Sequence, residues 1–203
     1  MLKFLLECNQ EWISLKDKIY LEKIEIDKLF ADQSMIRLIN FLITAEDHRF
    51  KFHLGFDIIA IIRAIRNNII WRKKEGASTI EQQLVRVLTN DYERSLYRKF
   101  KEILLAFFLK FLVCKKEIAL IYLNVAYYGT NLGGLDKILQ RFNLNKGDYI
   151  TENICAEIVA RLKYPEPLKK DKVIRDKQIE RRRNYILKLY HKHSLLKIIK
   201  WHV

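Results

Sequence analysis

Turn-forming residues are scarce in this 203-residue chain, which contains 6 glycines and 2 prolines. A sandwich or barrel of many short strands needs such residues at every reversal, so their scarcity argues against those folds and for long helices with short connections. Cysteine is equally sparse. Cys8, Cys114 and Cys155 lie far apart, are odd in number and form no C-x-x-C pair or Cys/His ligand spacing, so they read as structural thiols. No run of roughly 18 apolar residues occurs, the length a transmembrane helix requires. The apolar stretch from Met1 to Leu6 is too short for a signal-peptide core. Acidic residues are outnumbered, 24 Asp+Glu against 38 Lys+Arg, leaving a formal charge of +14. That excess points to an anionic partner: nucleic acid, an acidic membrane surface or a phosphorylated substrate. With 50% hydrophobic and 31% charged residues the chain is an ordinary globular one, long enough for one domain with a buried core.

Periodicity predicts helices almost throughout. Residues 1–33 mix charged and apolar positions without a clean period and suggest one or two short helices with little chemistry. From Met35 to Thr44 the apolar residues fall at helical spacing and run into Ala45-Glu46-Asp47. A second helix is expected from Asp57 to Trp71, capped by Asp57, with Ile58, Ile61, Ile62 and Ile65 facing the core. After a charged loop from Arg72 to Ala77, Ser78-Thr79-Ile80-Glu81 has the form of a capping box opening a helix that Asn90-Asp91 ends. The segment Ser95 to Val113 reads as one long helix, apolar nearly all round from Ile103, hence buried or in touch with lipid. Helices are also expected over 115–128 and 154–162, the latter stopped by Tyr164-Pro165-Glu166-Pro167. A basic amphipathic helix or helix pair is expected from Lys169 to His202. Strands are at most a minor feature.

Several segments carry candidate chemistry. Glu46 and Asp47 end an apolar helix and are followed by Phe50, His53 and Gly55. A carboxylate shielded by apolar neighbours accepts a proton near neutrality; equally, such a pair can simply balance Arg49 and Lys51. Gly76 to Arg86 joins a glycine turn to a helix N-terminus, whose amides and dipole favour an anion, and adds the amides of Gln82 and Gln83. A capped surface helix would look the same. Arg94, Arg98, Lys101 and Glu102 fall at helical spacings that let them share one face. Cations beside one carboxylate suit a pyrophosphate leaving group, or a solvated face of ion pairs. Lys115 to Asn124, followed by Tyr127-Tyr128-Gly129, looks structural.

In order and spacing these segments resemble the glycosyltransferase family 51 signatures. Glu46 to Asp57 is similar to E-D-x-x-F-x-x-H-x-G-x-D, and Gly76 to Leu84 to G-[AG]-S-T-[IL]-x-Q-Q-[LV]. Arg94 to Glu102 is similar to R-S-x-x-R-K-x-x-E, and Lys115 to Asn124 to K-x-x-I-x-x-x-Y-L-N. Ala156 to Pro167 and Arg182 to Leu187 resemble the family's later helices, so the resemblance spans about residues 36 to 190. It implies an all-α, lysozyme-like domain over 34–203 with a smaller membrane-facing lobe, after a lead-in at 1–33. The implied reaction is polymerisation of lipid II, a disaccharide-pentapeptide on undecaprenyl pyrophosphate, into glycan strands with inversion. Glu46 would deprotonate the acceptor's 4-hydroxyl, with Asp47, Phe50 and His53 holding it. Glu102 would orient the donor pyrophosphate or hold a divalent cation (Mg or Mn). Arg86, Arg94, Arg98 and Lys101 would face that pyrophosphate, and Ser78, Gln82 and Gln83 would line the groove.

The sequence departs from the family pattern at several positions. Glu81 stands where Thr or Ser is usual, which puts a carboxylate beside the proposed anion site; Val87 replaces Asn, and Lys110 and Leu120 replace Glu. Arg86 stands for the commoner Lys and still grips phosphate oxygens through two donors. The family implies the outer face of the cytoplasmic membrane. Without a visible anchor, attachment is expected through the basic C-terminal segment, the 103–113 stretch or a membrane-anchored cell-wall partner. A relative that binds lipid-linked sugar without catalysis is the alternative reading. A nucleic-acid-binding protein would share the charge but would not need Glu46, Gly76 to Gln83 and Glu102 in this order, so nucleic acid is not an expected partner.

Overall fold

A computed structural model describes residues 2–29, 32–70, 76–168 and 171–195. The loop positions 72–75 and the end of the basic segment, 196–202, lie outside the described residues.

The described residues form an all-α fold without strands, in agreement with the sequence. Its helices are α1 (Leu2–Ile26), α2 (Gln33–Glu46), α3 (Ile58–Ile70), α4 (Ile80–Thr89), α5 (Leu96–Leu109), α6 (Lys115–Val125), α7 (Leu135–Gln140), α8 (Glu152–Lys163) and α9 (Lys172–Leu195). α2 and α6 are the central pair. Met35, Leu38, Phe41 and Leu42 of α2 and Ile118 to Leu123 of α6 are buried nearly all round. α8 and α9 pack on one side of α2, and α1 and α4 pack against α6. A helix covered on most sides has no need of a narrow apolar stripe, which accounts for the continuous apolar run in α6.

Where the structure departs from the periodicity, packing is the reason. The first segment is a single helix of 25 residues rather than short pieces. Leu15, Ile19 and Ile26 enter the core, while Glu22 accepts from the Asn124 amide at 2.7 Å. The helix over 95–113 is shorter than expected. Ser95 caps it through the Arg98 amide, α5 ends at Leu109, and a turn follows. One face of α5 (Leu105, Ala106, Leu109) is buried, and Phe111 beyond it is exposed. Asp57 caps α3 as expected, accepting from the Ile59 and Ala60 amides. The α3 isoleucines do not face the core. Ile58, Ile62 and Ile65 are exposed and only Ala64 is buried. Periodicity identifies an apolar face but not whether anything covers it.

Two connections set the geometry of the site. Gly55, at φ +96°, lies against α5 so closely that a Cβ would stand 2.4 Å from the Ala106 carbonyl oxygen. Its own carbonyl accepts from the Thr79 hydroxyl at 2.7 Å, tying the turn after α2 to the start of α4. Gly129, at φ +151°, pairs with Glu166, whose backbone accepts from Thr130 and donates to Tyr128. That link joins the loop after α6 to the end of α8.

Candidate active site

Glu46 ends α2 in the wall of an open cavity of about 1090 Å³. Its carboxylate accepts from Gln83 Nε2 at 3.2 Å and from Arg182 of α9 at 3.1 Å. Arg182 also donates to the Ala45 carbonyl at 2.9 Å, so α9 is latched to the end of α2. Arg63, Ser78, Arg86, Tyr127 and Tyr185 share the cavity wall. His48 and His193 also line it, with ring centroids 6.2 Å apart. Burial lowers the pKa of both rings, Arg63 adding to the effect at His48 and His48 at His193.

Behind Glu46, Asp47 bonds His53 Nε2 at 2.9 Å and accepts the Ile80 amide at 3.3 Å. Phe50, fully buried, meets His53 edge-on. Asp47 itself reaches the cavity wall, whereas Phe50 and His53 pack behind it.

The second carboxylate, Glu102, is held by cations alone. Arg86 reaches it with two donors, at 2.9 and 3.1 Å, Lys99 donates at 2.6 Å, and Arg98 pairs with it one turn away. Burial opposes its charge, but the hydrogen bonds from Arg86 and Lys99 outweigh burial and hold the carboxyl below its ordinary range. Lys99 shows the converse: burial lowers its pKa, with Glu102 opposing. With its oxygens taken by cationic donors, Glu102 does not fit the role of a ligand for a divalent cation. What it does is gather positive charge. Arg86 connects this cluster to the cavity, since its side chain also lines the wall near Glu46.

Several expectations need correction. Lys101 does not share a face with Glu102. It is turned toward α1, where it pairs with Glu11 and lies 3.6 Å from Asp91. Arg94 is exposed on the approach to α5 and does not join the cluster. Gln82 is wholly buried and braces the site instead of lining it, accepting from Lys99 at 2.6 Å and donating to the Gly55 carbonyl. The α4 cap is Thr79 rather than Ser78, and the first-turn amides of Ile80 and Gln82 are already bonded to Asp47 and Thr79. The start of α4 is therefore not an open anion site. Ser78 faces Lys99 at 3.0 Å and lines the cavity. Glu81 does not threaten an anion: it is buried and pairs with Lys115.

Lys99 and Arg182 were not among the expected site residues, although Lys99 is the K of R-S-x-x-R-K-x-x-E and Arg182 opens the last matched segment. Lys99 stands three residues before Glu102 on the same helix, a spacing that brings the two side chains together. Nothing in the local spacing joins Arg182 to Glu46, because their contact spans 136 positions.

The transglycosylase family profile matches residues 20–191. The chain is 35% identical over 156 residues to penicillin-binding protein 1A of Rickettsia prowazekii, covering 74% of this chain and 19% of that protein. It is 36% identical over 125 residues to the biosynthetic peptidoglycan transglycosylase of Haemophilus influenzae, covering 61% and 52%. To penicillin-binding protein 1A of Escherichia coli it is 36% identical over 135 residues, covering 66% and 16%. The chain thus matches only about a fifth of the length of these 1A proteins.

Proposed function

The chain belongs to the transglycosylase family, and from that premise we propose that it polymerises lipid II into peptidoglycan glycan strands. In this reading Glu46 takes the proton of the acceptor's 4-hydroxyl as that oxygen attacks the anomeric carbon of the donor sugar. The new glycosidic bond forms with inversion while the bond to the undecaprenyl pyrophosphate breaks. The leaving pyrophosphate carries the negative charge, which Arg86, Arg98 and Lys99 offset. Glu102 holds these cations together, a role that requires no metal. Gln83 and Arg182 fix the Glu46 carboxylate, and Asp47 with His53 supports the turn behind it. The observation that carries the reading is that Glu46 and Arg86 line one cavity, and that Arg86 is bonded to the cation cluster.

No described helix is long and apolar enough to cross a membrane. The exposed isoleucines of α3, with Phe52, Leu54 and Phe111 nearby in sequence or fold, support docking of this edge on lipid, with the donor's polyprenyl tail entering from that side. In this reading the domain works at the outer face of the cytoplasmic membrane.

Purified protein given fluorescent lipid II in detergent is expected to yield glycan ladders and free undecaprenyl pyrophosphate. Retained lipid II binding without any product would instead make it a non-catalytic lipid-linked-sugar binder.

A further inference from the structure

Behind the Glu46 turn runs a row of four ionisable side chains, three of them buried, that the reaction above leaves without a full account. His53 Nε2 bonds Asp47, while His53 Nδ1 faces Glu81 Oε1 at 3.9 Å, and that same oxygen accepts from Lys115. The Asp47, His53 and Glu81 side chains are 6%, 6% and 1% exposed, and Lys115 is 24% exposed with its ammonium 4.4 Å from the Phe50 ring centroid. His53 Nδ1 and Glu81 Oε2 are buried and have no hydrogen-bond partner. The row therefore reads carboxylate, imidazole, carboxylate, ammonium, drawn from the end of α2, the turn after it, and the first turns of α4 and α6.

Asp47, His53 and Glu81 are close enough to share a metal ion. Two features argue against one. Asp47 and Glu81 address opposite ring nitrogens, and the Lys115 ammonium already stands against Glu81. Lys115 sits at the positive end of α6, where an ammonium is unfavourable, and Glu81 sits in the first turn of α4, where a carboxylate is favoured. The Glu81 carboxylate thus complements the start of α4 and offsets the Lys115 ammonium at the start of α6. Burial pushes Glu81 above the ordinary carboxylate range, with Lys115 and then His53 opposing.

We propose that Glu81 is a positioning residue for Glu46: with Lys115 it presents a carboxylate to the far side of His53, and His53 in turn holds Asp47, the immediate neighbour of the base. This rests on the reading of Glu46 as the base. A simple bridge between α4 and α6 would need the ion pair in either polarity, whereas positioning through His53 needs the carboxylate on α4.

Charge exchange separates the two roles. Glu81→Lys with Lys115→Glu restores the ion pair but sets an ammonium against His53, and Glu81→Gln alone leaves Lys115 without its counter-charge. Each variant of the full chain is assayed by thermal unfolding, by lipid II polymerisation, and by 15N NMR of the His53 ring, assigned through loss of its signals in His53→Asn. We expect Glu81→Gln to lower the melting temperature and the exchange to recover most of that loss. In both, kcat stays down by about tenfold or more with KM little changed, as expected when a reacting group is misplaced from a distance. The His53 Nδ1 signal shifts in both, because the carboxylate that faces it has gone. Recovery of kcat in the exchange variant, an unmoved Nδ1 signal in Glu81→Gln, or stoichiometric zinc binding that His53→Asn abolishes would each overturn the proposal. The NMR reads His53 directly, so it decides this point even if Glu46→Gln retains activity and the assignment of the base fails.

Discussion

Replacing Glu102 by glutamine removes the one negative charge at the centre of Arg86, Arg98 and Lys99. The substitution keeps the shape of the side chain and one acceptor oxygen but leaves three cations facing each other. Removing one partner of a fully buried ion pair costs about 3–5 kcal/mol. Here the cations keep 13–32% of their side-chain exposure, so water shares in stabilising them and about 2–3 kcal/mol is the reasonable expectation. For a domain of this size that is a fall of about 4–12 °C in melting temperature at pH 7. The pH dependence follows from the direction of the shift. Glu102 titrates lower in the folded chain than the ordinary value of about 4.3, so its stabilisation is complete above that value and is lost as pH falls through the folded value. The gap between wild type and Glu102→Gln should therefore persist at pH 5 and close only below about pH 4. Thermal unfolding by circular dichroism across this range measures it. A gap under about 1 kcal/mol at pH 7, or one unchanged at pH 3, would refute the claim that Glu102 organises these cations.

Gly55→Ala should destabilise by about 2–4 kcal/mol, since the new Cβ meets the Ala106 carbonyl and φ is positive; a chemical-denaturation midpoint within error of wild type would contradict this. Lys99→Met should weaken lipid II binding or turnover by about tenfold or more, whereas Lys101→Met should alter stability with turnover nearly intact, because Lys101 faces Glu11 of α1; equal losses of turnover in the two would show that the side-chain directions are misread. Burial lowers the pKa of His48 and His193, so the unfolded chain takes up protons first as pH falls below about 6.5 and stability should decline there. Replacing both histidines with Gln should flatten that part of the stability-versus-pH curve, as followed by melting temperature.

The all-α character, the order of the helices and the carboxylate at the end of α2 were legible because each depends on local pattern: scarce glycine and proline, 3.6-residue spacing, and a cap at Asp57. The direction in which long side chains turn was not. Lys101 and Glu102 are neighbours in sequence, yet an α-helix sends adjacent residues about 100° apart, and the presence of α1 with Glu11 decides where Lys101 goes. The same holds for Glu81, which a linear reading sets beside an anion site and which the fold instead buries against Lys115, 34 positions away. Arg182 comes to Glu46 only because α9 packs across α2 and α8. Contacts of that range are set by packing, and a helical period contains no record of them.

If Glu46 is the base of a glycosyl transfer in this cavity, Glu46→Gln should abolish the transfer while leaving the site assembled. Glutamine fits the same space and can still meet Gln83 and Arg182, but it cannot take the acceptor proton. With lipid II turnover and lipid II affinity measured side by side, turnover should fall by about a hundredfold or more with affinity close to wild type; loss of the charge facing Arg182 should lower the melting temperature, but by less than Glu102→Gln, because one cation rather than three is left facing the new side chain. Turnover within a few-fold of wild type would contradict the assignment of Glu46 as the base.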